Sequence, residues 1–147
     1  MLRILVVDDA EIVRRGIISL LQAEPYWEVA GEAADGREAV AKARELNCDV
    51  VLLDISLPEL NGLAAAALIH RLAPRSEILF LSQHLSRGII EEALKVGGRG
   101  YLSKSDAGNE LLDGIRAVSN HRNFISSSCR HIVSLPPGSQ PISTQTQ

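Results

Sequence analysis

The segment VVLLDISLP at residues 50–58 decides the fold of this chain. Its four leading apolar residues are typical of a strand that is buried on both faces, as in a parallel sheet. Asp54 stands where this strand leaves the core, and Pro58 and the turn signal Asn61-Gly62 follow it. In open α/β sheets, ligands bind outside the carboxyl ends of the strands. We therefore interpret Asp54 as the reactive group of the chain.

Short apolar runs alternate with helical patterns along the rest of the sequence. The predicted strands cover residues 4–7, 28–34, 50–54, 78–81 and 100–103, and the predicted helices cover residues 10–23, 37–46, 62–72, 87–96 and about 106–120. Five such β-α units predict an α/β fold, a doubly wound five-stranded parallel sheet with helices on both faces. We adopt the flavodoxin-like strand order 2-1-3-4-5, one of the two common orders, although the sequence alone does not select it.

The predicted units end near residue 121, and the character of the chain then changes. We expect one domain over residues 1–121, which is long enough to bury a core. Residues 122–147 contain SSS, PPG and a Ser/Thr/Gln-rich end, and we interpret them as a C-terminal tail or truncated linker. Residues 123–135 are expected to form a short helix or docking arm, and disorder is expected from residue 136 onward.

The composition narrows the classes of function. A net charge of −3, from 15 basic and 18 acidic residues, argues against a general nucleic-acid surface. No apolar stretch approaches the roughly 20 residues of a membrane span, and the strand at the start leaves no room for a signal peptide. Cys48 and Cys129 lack metal-ligand spacing. We therefore expect free thiols, a cytoplasmic location and no contact with a membrane.

Four of the predicted strands end in polar side chains, which a parallel sheet brings to one edge. These are Asp8-Asp9, Asp54, Ser82 and Lys104. Three carboxylates in one crevice repel one another unless a cation lies among them, and Mg²⁺ prefers such oxygen ligands. Lys104 adds a positive charge and Ser82 a hydroxyl group. The set predicts phosphoryl transfer with Asp54 as the nucleophile.

Each of these residues also has a structural interpretation on its own. Asp9 is a candidate N-cap of the first helix, and Asp54 a candidate cap of the loop before Pro58. Ser82 is then an end-of-strand hydroxyl, and Lys104 a solvated charge. Their joint placement at the ends of four strands favours the functional interpretation.

These motifs resemble the response-regulator receiver domain of two-component signalling over residues 2–120. The matching motifs are VVDD at 6–9, LLDISLP at 52–58 with Asn61-Gly62, LS at 81–82 and GYLSK at 100–104. The resemblance implies a phosphorelay protein that accepts a phosphoryl group on Asp54 from a sensor histidine kinase or phosphotransfer protein. It implies no enzyme activity beyond the domain's own phosphotransfer and dephosphorylation, and a protein-interaction surface that switches.

The resemblance also implies a role for each site residue. Asp9 and Asp54 bind Mg²⁺ (or Mn²⁺) with the backbone carbonyl of Ser56, and Asp8 contributes through water. The kinase is implied to dock on the first helix, around residues 10–16.

For the phosphoryl group and the switch, the resemblance implies three further roles. Ser82 hydrogen-bonds a phosphoryl oxygen and Lys104 pairs with it. Tyr101 is the switch aromatic that turns inward when Ser82 moves, and it couples the site to the fourth helix, fifth strand and fifth helix. The sequence leaves open whether a homodimer forms there.

The segments GGRGY at 97–101, LSKS at 102–105 and NFIS at 123–126 resemble the NarL/FixJ (LuxR-type) branch of the family. That branch normally carries a C-terminal helix-turn-helix DNA-binding domain. We expect this chain to lack that domain and to bind no nucleic acid directly, so transcription regulation remains open.

Several positions depart from the family pattern. Ser105 follows Lys104 where many receivers have Pro, which puts in doubt the cis peptide often found there. Gln83 stands where a small residue is usual and is expected to narrow access to the site. His84 and Ser56 occupy positions that tune the lifetime of the phosphoryl-aspartate in the family. We predict an altered lifetime, without a direction; otherwise His84 is a surface loop residue.

Two other functions compete with the signalling switch. A Mg²⁺-dependent phosphatase that forms an aspartyl-phosphate would need an acid two residues after the nucleophile, where this chain has Ser56. A non-phosphorylated interaction scaffold would not need the full set of site residues. A Rossmann-like nucleotide site is disfavoured because no Gly-x-Gly-x-x-Gly follows the first strand.

Overall fold

A parallel β-sheet forms the centre of the protein, for which a computed structural model describes residues 1–133. Its strands are β1 (Leu2–Val7), β2 (Trp27–Ala33), β3 (Val50–Leu53), β4 (Glu77–Ser82), β5 (Gly98–Ser103) and β6 (Phe124–Ile125). The order is β2-β1-β3-β4-β5-β6, and every described pair of neighbours is parallel. The predicted order 2-1-3-4-5 is confirmed. The short β6 is an addition that the sequence prediction did not contain.

Within residues 1–133, six α-helices follow or flank these strands. They are α1 (Glu11–Gln22), α2 (Gly36–Leu46), α3 (Gly62–Leu72), α4 (Arg87–Lys95), α5 (Ala107–Ser119) and α6 (Ser127–Val133). Side chains fix three of the helix starts, since Asp35, Asn61 and Ser86 each accept a hydrogen bond from a backbone N–H of the first turn. Among the helices within residues 1–133, none has both the length and the apolar character that a bilayer span requires.

The last of the five predicted helices begins differently from the expectation. Residues 105–106 were expected to supply its N-cap, but a 3-10 turn, Lys104–Asp106, precedes α5 and the Asp106 side chain makes no capping hydrogen bond. Its carboxylate instead accepts hydrogen bonds from the backbone N and the Oγ of Ser128, at 3.0 and 2.9 Å. This long-range partner cannot be read from local sequence.

Two apolar clusters lie on opposite faces of the sheet, as the alternation of side chains along a strand requires. On one face, Val51 and Leu53 of β3 pack in a cluster with residues of α2, α3 and α4. On the other, Val50 and Leu52 pack in a cluster with residues of α1 and α5. The predicted placement of helices on both faces is confirmed. Cys48 and Cys129 are buried free thiols, as predicted.

The segment after α5 returns to the sheet. β6 pairs with β5, and α6 packs against α4 and β5. The predicted boundary between residues 1–121 and a tail at 122–147 remains a prediction, and the disorder expected from residue 136 lies outside the described residues.

Candidate functional site

The register of the sheet brings the carboxyl ends of its central strands to one edge. Val7 of β1 pairs with Leu53 of β3, and Ser82 of β4 pairs with Ser103 of β5. Since Asp8, Asp54 and Lys104 directly follow β1, β3 and β5, they leave the sheet at the same edge. Asp8 and Lys104, which are 96 positions apart in sequence, thereby become neighbours.

Lys104 lies between the carboxylates of Asp8 and Asp54. Its Nζ atom is 2.7 Å from Oδ2 of Asp8 and 3.0 Å from Oδ2 of Asp54. The side chains of the two aspartates are only 1% and 7% exposed, and that of Lys104 is 18% exposed. Solvent screens such buried charges weakly, so one ammonium group holds two carboxylates that would otherwise repel each other.

Asp9 completes an acidic cluster that matches a metal site. One carboxylate oxygen from each of Asp8, Asp9 and Asp54 lies within 4.8 Å of the others. Oδ2 of Asp8 is buried, and Lys104 Nζ is 2.7 Å from it. Three carboxylates this close, with one ammonium group between two of them, form a set of hard oxygen donors that fits a divalent cation such as Mg²⁺.

The interpretation of Asp9 as the N-cap of the first helix is wrong. The interpretation of Asp54 as a loop cap describes only one of its two carboxylate oxygens. The N-cap of α1 is Ala10, which receives no side-chain hydrogen bond, so Asp9 does not cap this helix. Oδ1 of Asp54 accepts a hydrogen bond from Ile55 N at 2.7 Å, as a loop cap would. Its other oxygen faces Lys104.

Burial and charge pull the pKa values of the site in different directions. Burial raises the pKa of Asp54, the hydrogen bond from Lys104 opposes this only in part, and the charge of Asp8 adds to the rise. For Lys104, burial alone would lower the pKa, but the carboxylates of Asp8 and Asp54 outweigh it and the pKa is raised. Lys104 is therefore a permanent cation next to a carboxylate that is costly to ionise.

Ser82, His84 and Tyr101 form a connected chain beside the acidic cluster. Ser82 is fully buried, and its Oγ accepts a hydrogen bond from His84 N at 3.0 Å. Tyr101 is also fully buried, and its hydroxyl donates to the backbone oxygen of His84 at 2.7 Å. Burial raises the pKa of Tyr101 to about 12. The aromatic ring therefore lies inward, with its hydroxyl held by the residue that also holds Ser82.

A cavity of about 410 Å³ opens above these residues to solvent. It is lined by Asp8, Asp9, Ala10, Val13, Asp54, Ser56, Gln83, His84 and Lys104. Ser82 is not among them, because it is buried beside the cavity. Gln83 is exposed at the cavity wall, where it was expected to narrow access. The sequence contained no signal for a hydrogen bond between Ser56 Oγ and His84 Nε2, which are 2.8 Å apart.

The fold and the cluster of three aspartates with one lysine can be compared with known proteins. The family model "Response regulator receiver domain" matches residues 4–116. The chain belongs to the response regulator receiver family. The resemblance seen in the sequence motifs is thus confirmed, and the acidic pocket of this receiver domain consists of Asp8, Asp9 and Asp54 beside Lys104.

The relatives of this receiver domain include regulators of the NarL/LuxR type. "Transcriptional regulatory protein LnrK" of Bacillus subtilis (strain 168) is 37% identical over 118 residues, which are 80% of this chain and 54% of that protein. "Response regulator UvrY" of Escherichia coli (strain K12) is 37% identical over 127 residues, 86% of this chain and 58% of that protein. This chain therefore spans little more than half the length of either relative.

A solved structure supports the same assignment. The crystal structure of a LuxR-family two-component response regulator from Aurantimonas sp. SI85-9A1 has a TM-score of 0.86 and 32% sequence identity. The match covers 90% of this chain and 94% of that one. It extends beyond the end of the family model at residue 116.

Proposed function

We propose that this receiver domain is a phosphorylation-activated switch in which Asp54 accepts the phosphoryl group. The position of Lys104 Nζ, within 3.0 Å of carboxylate oxygens of both Asp8 and Asp54, supports this most directly. A half-buried ammonium group beside a cavity-lining carboxylate can neutralise charge on a transferring phosphoryl group. Asp9 adds a third carboxylate to those of Asp8 and Asp54. Neither a structural ion pair nor a helix cap would need it.

In the proposed reaction, a carboxylate oxygen of Asp54 attacks the phosphorus atom of a phosphohistidine on a histidine kinase or phosphotransfer protein. A new P–O bond forms and the P–N bond breaks. The electron pair of the broken bond stays on the imidazole nitrogen, which takes up a proton as it leaves. Lys104 pairs with a phosphoryl oxygen, and the Ser82 hydroxyl approaches another.

Asp8, Asp9 and Asp54 are the residues that would hold Mg²⁺ or Mn²⁺, with the Ser56 backbone carbonyl as a further proposed ligand. The bound cation would supply charge neutralisation to the phosphoryl oxygens. The spacing of the three carboxylates and their hard oxygen donors support this assignment.

The switch proposed for this site runs through His84. A phosphoryl group that draws Ser82 toward it would pull on His84 N, and the carbonyl of the same residue holds the Tyr101 hydroxyl. Gln83 and His84 are proposed to modulate the lifetime of the phosphoryl group, because both line the cavity.

The partner surfaces are part of the same proposal. Ile12 on α1 is 82% exposed and Gly16 is exposed on the same helix, next to the cavity residues Ala10 and Val13. An exposed apolar side chain at this place supports docking of the kinase on α1. We propose a cytoplasmic signalling domain, not an enzyme with its own substrate, that acts on partner proteins.

Incubation with Mg²⁺ and acetyl phosphate, followed by intact mass, tests the phosphoacceptor role. We expect one phosphoryl group on the wild type and none on Asp54→Ala. No gain on the wild type, or an equal gain on Asp54→Ala, would overturn the proposal. Steady turnover of an aryl phosphate would instead favour the phosphatase alternative.

A further inference from the structure

Residues 124–133, here called the C-terminal strap, lie on the surface next to the switch tyrosine. β6 extends the sheet beyond β5, with Phe124 opposite Gly100 and Ile125 opposite Tyr101. α6 then packs on β5 and α4. The strap therefore pairs the outer edge of β5, which would otherwise present open backbone groups for pairing.

Two acidic residues before and within α5 anchor the strap. The Asp106 carboxylate accepts hydrogen bonds from the N and Oγ of Ser128. The Glu110 carboxylate accepts from Ser127 N at 3.1 and 3.2 Å. Asp106 belongs to the turn that begins at Lys104, so the strap is tied to the loop that carries the site lysine.

A buried pair of hydrogen bonds connects the strap to the strand of the switch. Ser126 Oγ accepts from Ser103 N at 3.0 Å, one residue before Lys104. Ser126 N donates to the backbone oxygen of Tyr101 at 3.0 Å. Ser126 and Ser103 are 0% and 2% exposed. Because solvent does not reach these groups, separation of the strap would leave them without partners and would cost free energy.

The strap also forms part of the pocket of the Tyr101 ring. Tyr101 shares one buried cluster with Ile90 and Ala93 of α4 and with Cys129 of α6. The partly buried Ile125, Ile132 and Val133 of the strap pack against the same cluster. The inward position of Tyr101 and the docked position of the strap therefore depend on each other.

We infer that the strap is an intramolecular cover of the α4–β5 surface and that its docking is coupled to phosphorylation of Asp54. Docking favours the inward Tyr101, and the switch that we propose for Asp54 acts on the same residue through Ser82 and His84. This inference rests on the proposed function. Coupling of this kind is reciprocal. Phosphorylation of Asp54 therefore shifts the strap toward its docked position, and docking of the strap stabilises the phosphorylated state to the same extent. A partner of the α4–β5 surface must displace the strap.

The test uses the full chain with beryllofluoride and Mg²⁺ in place of the phosphoryl group. Hydrogen exchange at the amides of residues 126–133 should slow by about fivefold or more when beryllofluoride binds, a ratio at the lower end of typical coupling. Asp106→Ala, which removes both acceptors of Ser128, should speed this exchange and weaken beryllofluoride binding by about fivefold. Ser128→Ala removes only the Oγ bond and serves if Asp106→Ala does not fold.

Asp113→Ala is the matched control, because Asp113 lies exposed on α5 and its ion pair is with Arg116. Either substitution removes one negative charge, which by itself favours an anion. Weaker binding that is absent from Asp113→Ala and is repeated by Ser128→Ala, which leaves the Lys104 turn unchanged, therefore points to the strap. If the strap amides of Asp106→Ala exchange faster but beryllofluoride binds as tightly as in the wild type, the coupling is overturned and the proposed function is not. A wild type that neither binds beryllofluoride nor gains a phosphoryl group would overturn the proposed function as well.

Discussion

The Nε2 atom of His84 lies 2.8 Å from the Oγ atom of Ser56. His84 follows β4 and Ser56 follows β3, so this hydrogen bond joins the two loops that flank Asp54. Both residues line the cavity of the site. His84 also contacts Ser82 and Tyr101 through its backbone. One residue is thereby connected to the wall of the cavity, to the buried hydroxyl group and to the switch aromatic.

We predict that His84→Ala shortens the lifetime of the phosphoryl-aspartate. Loss of the imidazole ring breaks the bond to Ser56 and widens the cavity, so water reaches the phosphorus atom more easily. If the loss of this hydrogen bond lowers the activation free energy of hydrolysis by about 1 kcal/mol, hydrolysis becomes roughly fivefold faster. The rate is measured by intact mass after acetyl phosphate is removed.

Leu85→Ala is the control for this prediction, because Leu85 is 42% exposed in the same loop and does not line the cavity. Ser56→Ala should give a similar rate to His84→Ala, and the double variant should add little, since both changes remove one shared bond. If the two substitutions have additive effects on the hydrolysis rate, the hydrogen bond between Ser56 and His84 does not control the lifetime of the phosphoryl group.

Asp54→Asn is expected to stabilise the protein when a chelator keeps divalent metal away. Burial raises the pKa of Asp54, so the folded protein holds a proton there more readily than the unfolded chain does. Wild-type stability therefore falls as pH rises from the ordinary pKa of 3.8 through the raised value. The neutral amide avoids this cost, and we expect a gain of about 1 kcal/mol at neutral pH that disappears in acid. Urea unfolding at several pH values measures it.

Asp113→Asn, at an exposed position, should change the free energy of unfolding little at any pH. With Mg²⁺ present, the wild type should be more stable than Asp54→Asn. The bound cation stabilises the wild type, and the amide of the variant binds this cation poorly. A variant that is less stable than the wild type in chelator at neutral pH would mean that the ion pair with Lys104 outweighs burial.

The parts of the site that the sequence could predict all follow strands. Asp54 and Lys104 stand directly after apolar runs, so strand period and parallel topology place them at one edge without further information. Ser126 and Asp106 could not be predicted in this way, because neither strand period nor parallel topology fixes their hydrogen-bond partners, Ser103 and Ser128. Only tertiary packing brings such pairs together.

β6 shows the same limit for the fold. Two residues carry no readable period, and Phe124 and Ile125 become a strand only because the edge of β5 is available to them. The other five strands are four to seven residues long, and each of them was predicted from the sequence.

Tyr101 is predicted to make the stability of the protein sensitive to alkaline pH. Its pKa is raised to about 12, mainly by burial, so the stability it contributes is complete below its ordinary pKa of 10 and is lost as pH rises toward 12. The loss should reach about 2–3 kcal/mol over this range. Urea unfolding of the wild type and Tyr101→Phe measures it.

The Phe variant should be about 1 kcal/mol less stable below pH 10, because the hydrogen bond to His84 is gone, and should lose less as pH rises. Tyr26→Phe, at a position 77% exposed, should follow the wild type. Equal losses in the wild type and Tyr101→Phe would show that the buried hydroxyl is not the group that titrates.

Gly62→Ala is expected to damage both the fold and the site. A Cβ atom at Gly62 would lie 2.0 Å from the carbonyl oxygen of Asp54, so the start of α3 would have to move away from the residue that carries the reactive carboxylate. We expect a loss of about 3 kcal/mol in the free energy of unfolding and reduced phosphorylation of Asp54. Gly16→Ala is the matched control, because Gly16 lies inside α1 and a Cβ placed there would have no atom within 4 Å apart from its chain neighbours and the backbone of its own helix. It should gain about 1 kcal/mol from helix propensity. Urea unfolding of both variants, with acetyl phosphate labelling, checks the pair, and a Gly62→Ala protein as stable and as readily labelled as the wild type would contradict the close approach of α3 to Asp54.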